Sequence, residues 1–193
     1  MSRLYGLAVG LAAFLALAPL SRAGMIPTQV TVTPDGGNFR WTYGVVVSTD
    51  VNVNPGDSFT IYDFAGLVNG SVGAPAGWSG SVANSGPSRT GTSPNDDPAF
   101  PNLTFTYTGA SPLPGQQELG SFWALSTEGT ASSSEFTSTA HRQSGGRAES
   151  NVTTTDAPAS ASIMNTPEPA ALLLAGIGLP LVGLARCLRR KQA

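Results

Sequence analysis

The stretch Thr28–Thr49, TQVTVTPDGGNFRWTYGVVVST, decides the fold class of this chain. In Thr28–Thr33, Val30 and Val32 share one side and the threonines the other, a period of two that suits a half-buried strand and not a helix. Phe39–Thr49 alternates Phe39, Trp41 and Tyr43 against Arg40 and Thr42, then becomes a β-branched run at Val45–Val47. Between the two lies Asp35-Gly36-Gly37-Asn38, a cluster of residues that tolerate tight-turn dihedrals, so the segments read as a hairpin.

The pattern continues outward. Val51 and Val53 lead into Asn54-Pro55-Gly56-Asp57, where proline then glycine at the central positions predicts a type II turn. Ser58–Phe64 is the returning strand; further strands are expected at Asn102–Thr108 and Leu119–Ser126. Weaker strand patterns at Glu135–His141 and Ala148–Thr155 flank a Ser144-Gly145-Gly146 turn. About eight short strands separated by turn clusters predict an all-β fold, an antiparallel β-sandwich of jelly-roll or Ig-like kind. Its interior is expected from Phe39, Trp41, Tyr43, Phe59, Ile61, Leu103, Phe105 and Tyr107. Ala74–Pro101, rich in Gly, Pro, Ser and Asn, is expected to be a long surface excursion. The sandwich is assigned residues 24–156, followed by a linker at 157–166.

Charge narrows the partners. Residues 24–166 carry eleven acids against four bases (Arg40, Arg89, Arg142, Arg147), a balance of −7. Nucleic acid, bound largely through Lys/Arg contacts to phosphate, is excluded as a partner. The sole cysteine, Cys187, lies beyond this region, which removes disulfides, thiol catalysis and cysteine zinc sites from the domain.

Several residue groups are candidates for chemistry. Asp50, Asn52 and Asn54 have the alternate-oxygen spacing of a calcium loop, but Pro55 stands where glycine is needed and Ile61 where a bidentate Glu belongs. Asn95-Asp96-Asp97 fits a solvated loop tip. His141, the only histidine, lies in TAHRQSGG without a nucleophile-elbow glycine pattern. Asn69, Asn102 and Asn151 match the N-glycosylation pattern, which arises by chance in so Ser/Thr-rich a chain. No catalytic residue, metal site or cofactor is assigned.

Both ends read as targeting segments. Met1–Ala23 has a basic start at Arg3, an apolar run from Leu4 to Leu17, a break at Pro19 and small residues at Ser21 and Ala23, the pattern of a signal peptide cleaved after Ala23. At the other end, Pro167-Glu168-Pro169 precedes the unbroken apolar run Ala170–Ala185, then Arg186, Arg189, Arg190 and Lys191. The 16-residue run rises about 24 Å as a helix, which spans the bilayer with snorkelling from Arg186. The basic residues hold the C-terminus in the cytoplasm. Gly176, Gly178, Pro180 and Gly183 weaken this transmembrane helix, and the two prolines keep the motif extended and accessible.

This three-part tail at 167–193 resembles the PEP-CTERM sorting signal of Gram-negative envelope proteins. The resemblance implies recognition and processing at or near Pro167, Glu168 and Pro169 by an integral-membrane exosortase. Cys187 departs from the usual arginine-rich end and reads as a passive small hydrophobe. FTIYDFAG (59–66), PAGW (75–78), NLTFTYTG (102–109) and GSFWALST (120–127) look like the ectodomain of many small PEP-CTERM proteins, a group without an assigned activity. The expectation is a non-enzymatic exported protein, held transiently in the inner membrane and delivered to the outer envelope or exopolysaccharide matrix for a structural or adhesive role. Exopolysaccharide is the further partner expected, beside the exosortase and the bilayer. A carbohydrate-binding module, with Trp78 and Trp123 as an aromatic platform, is the alternative. A hydrolase using paired acids, or His141 beside a serine, is a lesser one.

Overall fold

A computed structural model describes residues 24–160. Nine strands lie among them: β1 (Met25–Asp35), β2 (Asn38–Val47), β3 (Val51–Asn52), β4 (Ser58–Ile61), β5 (Trp78–Ala83), β6 (Asn102–Tyr107), β7 (Glu118–Ser126), β8 (Ala131–Arg142) and β9 (Ala148–Pro158). The described part is all-β, every pairing is antiparallel, and it holds no helix.

The opening hairpin forms as its sequence requires. Asp35 pairs with Asn38, and Gly36 and Gly37 take φ of 59° and 87°. Two consecutive positive φ values are what a two-residue hairpin turn demands, and glycine adopts them without steric cost. Along β2 burial alternates, with Trp41, Tyr43, Val45 and Val47 buried and Arg40, Thr42, Gly44 and Val46 half-buried. Phe39 is only partly buried and packs at the margin of the core. β1 begins three residues earlier than its alternation indicates. Met25 is fully buried, and its N–H donates to Ser138 Oγ at 3.2 Å.

The strands form two sheets. One has the order β1-β2-β7; the other has the order β3-β8-β4-β6-β5, with β9 along the remaining edge of β8. β8 is therefore shared. It pairs with β9 from Ala131 to His141, while β4 and β3 follow one another along its opposite edge. The Asn54–Asp57 turn joins β3 to β4: Gly56 takes φ of 93° and Asp57 N–H donates to Asn54 O at 2.9 Å, as a type II turn requires.

One apolar core joins the sheets. Phe59 of β4 lies 5.1 Å from Phe105 and 5.2 Å from Phe136 within its own sheet, and 4.7 Å from Phe122 of β7 in the other, edge to face. Trp41 of β2 meets Phe64 at 6.4 Å, again edge to face. Such pairs add to the stabilisation from area burial because ring edges and faces carry opposite partial charge. Two sheets sharing one core fit the expected β-sandwich.

Two expectations change. Ala74–Pro101 is exposed as expected, but it contains β5, which pairs with β6 from Trp78 to Ala83. WSGSVA lacks alternating large apolar residues because the strand is mostly solvent-exposed and sits at a sheet edge, so no periodic signal marks it. At the other end β9 runs to Pro158, and Ala157 is fully buried. The strand thus takes 157 and 158 from the expected linker, and the chain divides into compact units at Pro158/Ala159.

Candidate functional site

The most unusual polar arrangement lies in the excursion after β5. Asp96 organises it: its carboxylate accepts from Gly86 N–H at 2.7 Å and from Asn102 Nδ2 at 2.8 Å. Asp97 N–H donates to Asp63 Oδ1 at 2.9 Å, and Asp63 N–H donates to Asn102 Oδ1 at 2.8 Å. Asp96 and Asp97 are thus staples tying the loop to β6 and the end of β4. Asn102 is 1 % exposed with both side-chain atoms engaged, so its glycosylation pattern is a structural element.

This anchored loop presents Arg89 to the sheet. Its Nε donates to Thr137 Oγ1 at 3.0 Å and Nη1 to Thr139 Oγ1 at 2.7 Å. Nη2 donates to Ser58 Oγ and Thr60 Oγ1, both at 3.1 Å. Four hydroxyls from β4 and β8 therefore receive the guanidinium fork. Burial draws the Arg89 pKa below its usual value, opposed by nearby Tyr62 and Asp57. No carboxylate among the described residues stands within ion-pair distance of Arg89.

Beside it opens a groove of about 490 Å³ lined by Arg89, Arg142, Arg147, Thr139, Glu149 and Ser150 among others. The β8–β9 turn carries Gly145 and Gly146 at φ of 84° and 63° and brings Arg147 back beside Arg142. There Arg142 N–H donates to Arg147 O at 2.9 Å. Arg142 is held by Glu149 at 2.7 Å and Asp50 at 3.2 Å, and the bond it donates to Glu149 is the main cause of its raised pKa. Arg147 is exposed and has no ion-pair partner among the described residues. Three of the domain's four arginines thus line one groove on an otherwise acidic domain.

Local motif reading misses this site because Arg89 and Arg147 stand far apart in sequence. The available signal is compositional: bases are so few that three in one place are informative.

The candidate residues for chemistry have structural partners instead. Asp50 holds Arg142, and Asn52 pairs with His141 across β3 and β8. Among the described residues, no three His, Asp or Glu side chains are placed to hold a metal. His141 Nδ1 lies 2.9 Å from Asp57 Oδ2, and Asp57 also accepts Asn54 N–H at 2.7 Å, so the pair seats the turn against β8. Trp78 packs with Phe59, Tyr107 and Phe122 at 5.1–5.8 Å, at the edge of the core. Trp123 lies under the Arg40 guanidinium at 3.9 Å, and its ring crowds Gly73, where any Cβ would clash. Neither tryptophan offers the open platform expected of a sugar-stacking module.

The sorting residues Pro167, Glu168, Pro169, Arg186, Arg189, Arg190 and Lys191, the expected helix at 170–185, and Ser21 and Ala23 lie outside the described residues. For the C-terminal group, the sequence match is direct: residues 165–191 fit the family model of the PEP-CTERM protein-sorting motif. The chain carries a PEP-CTERM sorting motif. The PEP-CTERM motif supports exosortase-type sorting of an exported protein, with recognition by an exosortase-type membrane enzyme and transient membrane anchoring. No curated protein and no solved structure matches the chain.

Proposed function

We propose that this is a non-enzymatic envelope or extracellular-matrix protein whose β-sandwich is delivered by exosortase-type sorting and serves a structural or adhesive role there. The PEP-CTERM motif at 165–191 carries the reading. In this scheme Met1–Ala23 directs export and is removed after Ala23. Residues 170–185 then span the inner membrane as a helix, with Arg186, Arg189, Arg190 and Lys191 holding the C-terminus in the cytoplasm. Pro167, Glu168 and Pro169 present an extended, charged segment to the processing enzyme. What supports a non-enzymatic role is the use of His141, Asp57, Asp96 and Asp97 as anchors of turns and loops.

The test replaces Pro167, Glu168 and Pro169 together by alanine, leaving the apolar run and basic tail intact. With a tag at the C-terminus, the variant is expected to accumulate in the inner membrane with its tag, while the parent loses the tag and moves outward. A plain membrane anchor depends only on hydrophobicity and flanking charge, so equal distribution of both proteins would refute sorting through the motif.

A further inference from the structure

We propose that the groove between the Arg89 loop and the β8–β9 turn binds the carboxylate of a uronate unit in an acidic polysaccharide. The inference rests on the proposed role in the envelope or matrix and assigns its ligand. Four hydroxyls solvate the Arg89 guanidinium but cancel none of its charge. A largely buried cation is ordinarily matched by an anion; with four of its five N–H groups on hydroxyls, Arg89 keeps one N–H and its charge for a carboxylate. Arg147, exposed on the same groove and also without an ion-pair partner among the described residues, supplies the fork that can grip a carboxylate at two points.

Charge selects the ligand class. Arg89, Arg142 and Arg147 stand against Asp50 and Glu149, with Asp57 also acting on Arg89, so the positive surplus at the groove is at most one charge on a domain of balance −7. One carboxylate at a time satisfies that balance, whereas a polyphosphate brings dense charge that the acidic surface repels. The lining contains no aromatic ring, so neutral sugars have no stacking surface there, while the hydroxyls of Ser88, Thr139 and Ser150 offer hydrogen bonds to sugar hydroxyls. The groove volume falls within the range of small-ligand sites.

The experiment is calorimetric titration of the detergent-solubilised full chain with trigalacturonate, its fully methyl-esterified form and galacturonic acid. Saturable binding of trigalacturonate is expected, weakened by salt and lost with the ester, and the single acid is expected to bind more weakly than the trimer. Arg147→Gln, at an exposed turn position that leaves the fold intact, is expected to weaken it about tenfold or more, the loss of one charge-assisted hydrogen bond. Arg40→Gln, on the other sheet, is expected to leave it unchanged. Absent binding, equal binding of the ester, or no effect of Arg147→Gln would reduce Arg89 to a loop staple and overturn the proposal. A single acid binding as tightly as the trimer would overturn the polysaccharide assignment. Release of the C-terminal tag is read on the same Arg147→Gln protein, so loss of glycan binding with sorting intact separates this inference from the sorting reading.

Discussion

Asp63 shows how much a single residue here depends on the company the fold gives it. It follows β4 at a positive φ of 51°, and burial is the main reason its pKa is raised, with Asp96, Asp97 and Glu135 adding repulsion. The bond from Asp97 N–H opposes the shift without cancelling it. Between its ordinary value and the raised one, the folded state holds more proton than the unfolded chain, so stability falls as pH rises across that window. Asp63→Asn removes the charge, keeps an oxygen for Asp97 N–H, and suits the left-handed backbone. The variant is expected to melt above the parent at neutral pH, with the gap closing below about pH 3.9, where the carboxyl is protonated in both states. Thermal unfolding at the two pH values checks this, and a gap that persists in acid would contradict it. In sequence Asp63 is merely an acid after a strand; its neighbours arrive from more than thirty residues away.

At the scale of elements, legibility follows the contrast between the two faces of each strand. β2 was readable because one face is buried and the other is not, and the Gly36-Gly37 turn fixed its register with β1. β5 was not, because neither face carries a large apolar series, and only its pairing with β6 makes it a strand. β4 is the mechanical centre: Phe59 touches the rings of Phe105, Phe122, Phe136 and Trp78 across both sheets. Phe59→Ala is expected to cost about 3–5 kcal/mol in denaturant unfolding, the range for aromatic truncation in a packed core. Val82→Thr on exposed β5 is expected to stay within about 0.5 kcal/mol of the parent, as ordinary surface changes do. Comparable losses at both positions would mean that the two sheets do not share one core.

For the whole molecule, the core, the sheets and the Arg89 site all fall within residues 24–160, and Cys187 lies beyond them. Residues 24–160 expressed alone are expected to give a β-rich far-UV spectrum and to unfold cooperatively at a temperature indifferent to reductant. Helical minima or a reductant-dependent midpoint would count against that. The sequence by itself determined the fold class and the sorting motif, because both are written in contiguous residues: alternation along a strand, glycines in a two-residue turn, and the Pro-Glu-Pro, apolar and basic series of the tail. Tertiary structure alone decided which polar residues meet. Arg89, Thr137 and Arg147 are separated by long stretches of chain, and Arg89 meets Thr137 and shares a groove with Arg147 only once β4 and β8 are paired and the Asp96 network has laid the loop across them. It also removed Trp78 and Trp123 from the platform expected of them, since whether a ring is bare depends on Phe122 and Arg40 arriving from other strands. Local pattern records what a residue does to its own backbone; a binding groove is made by distant residues that only the closed sheets bring together.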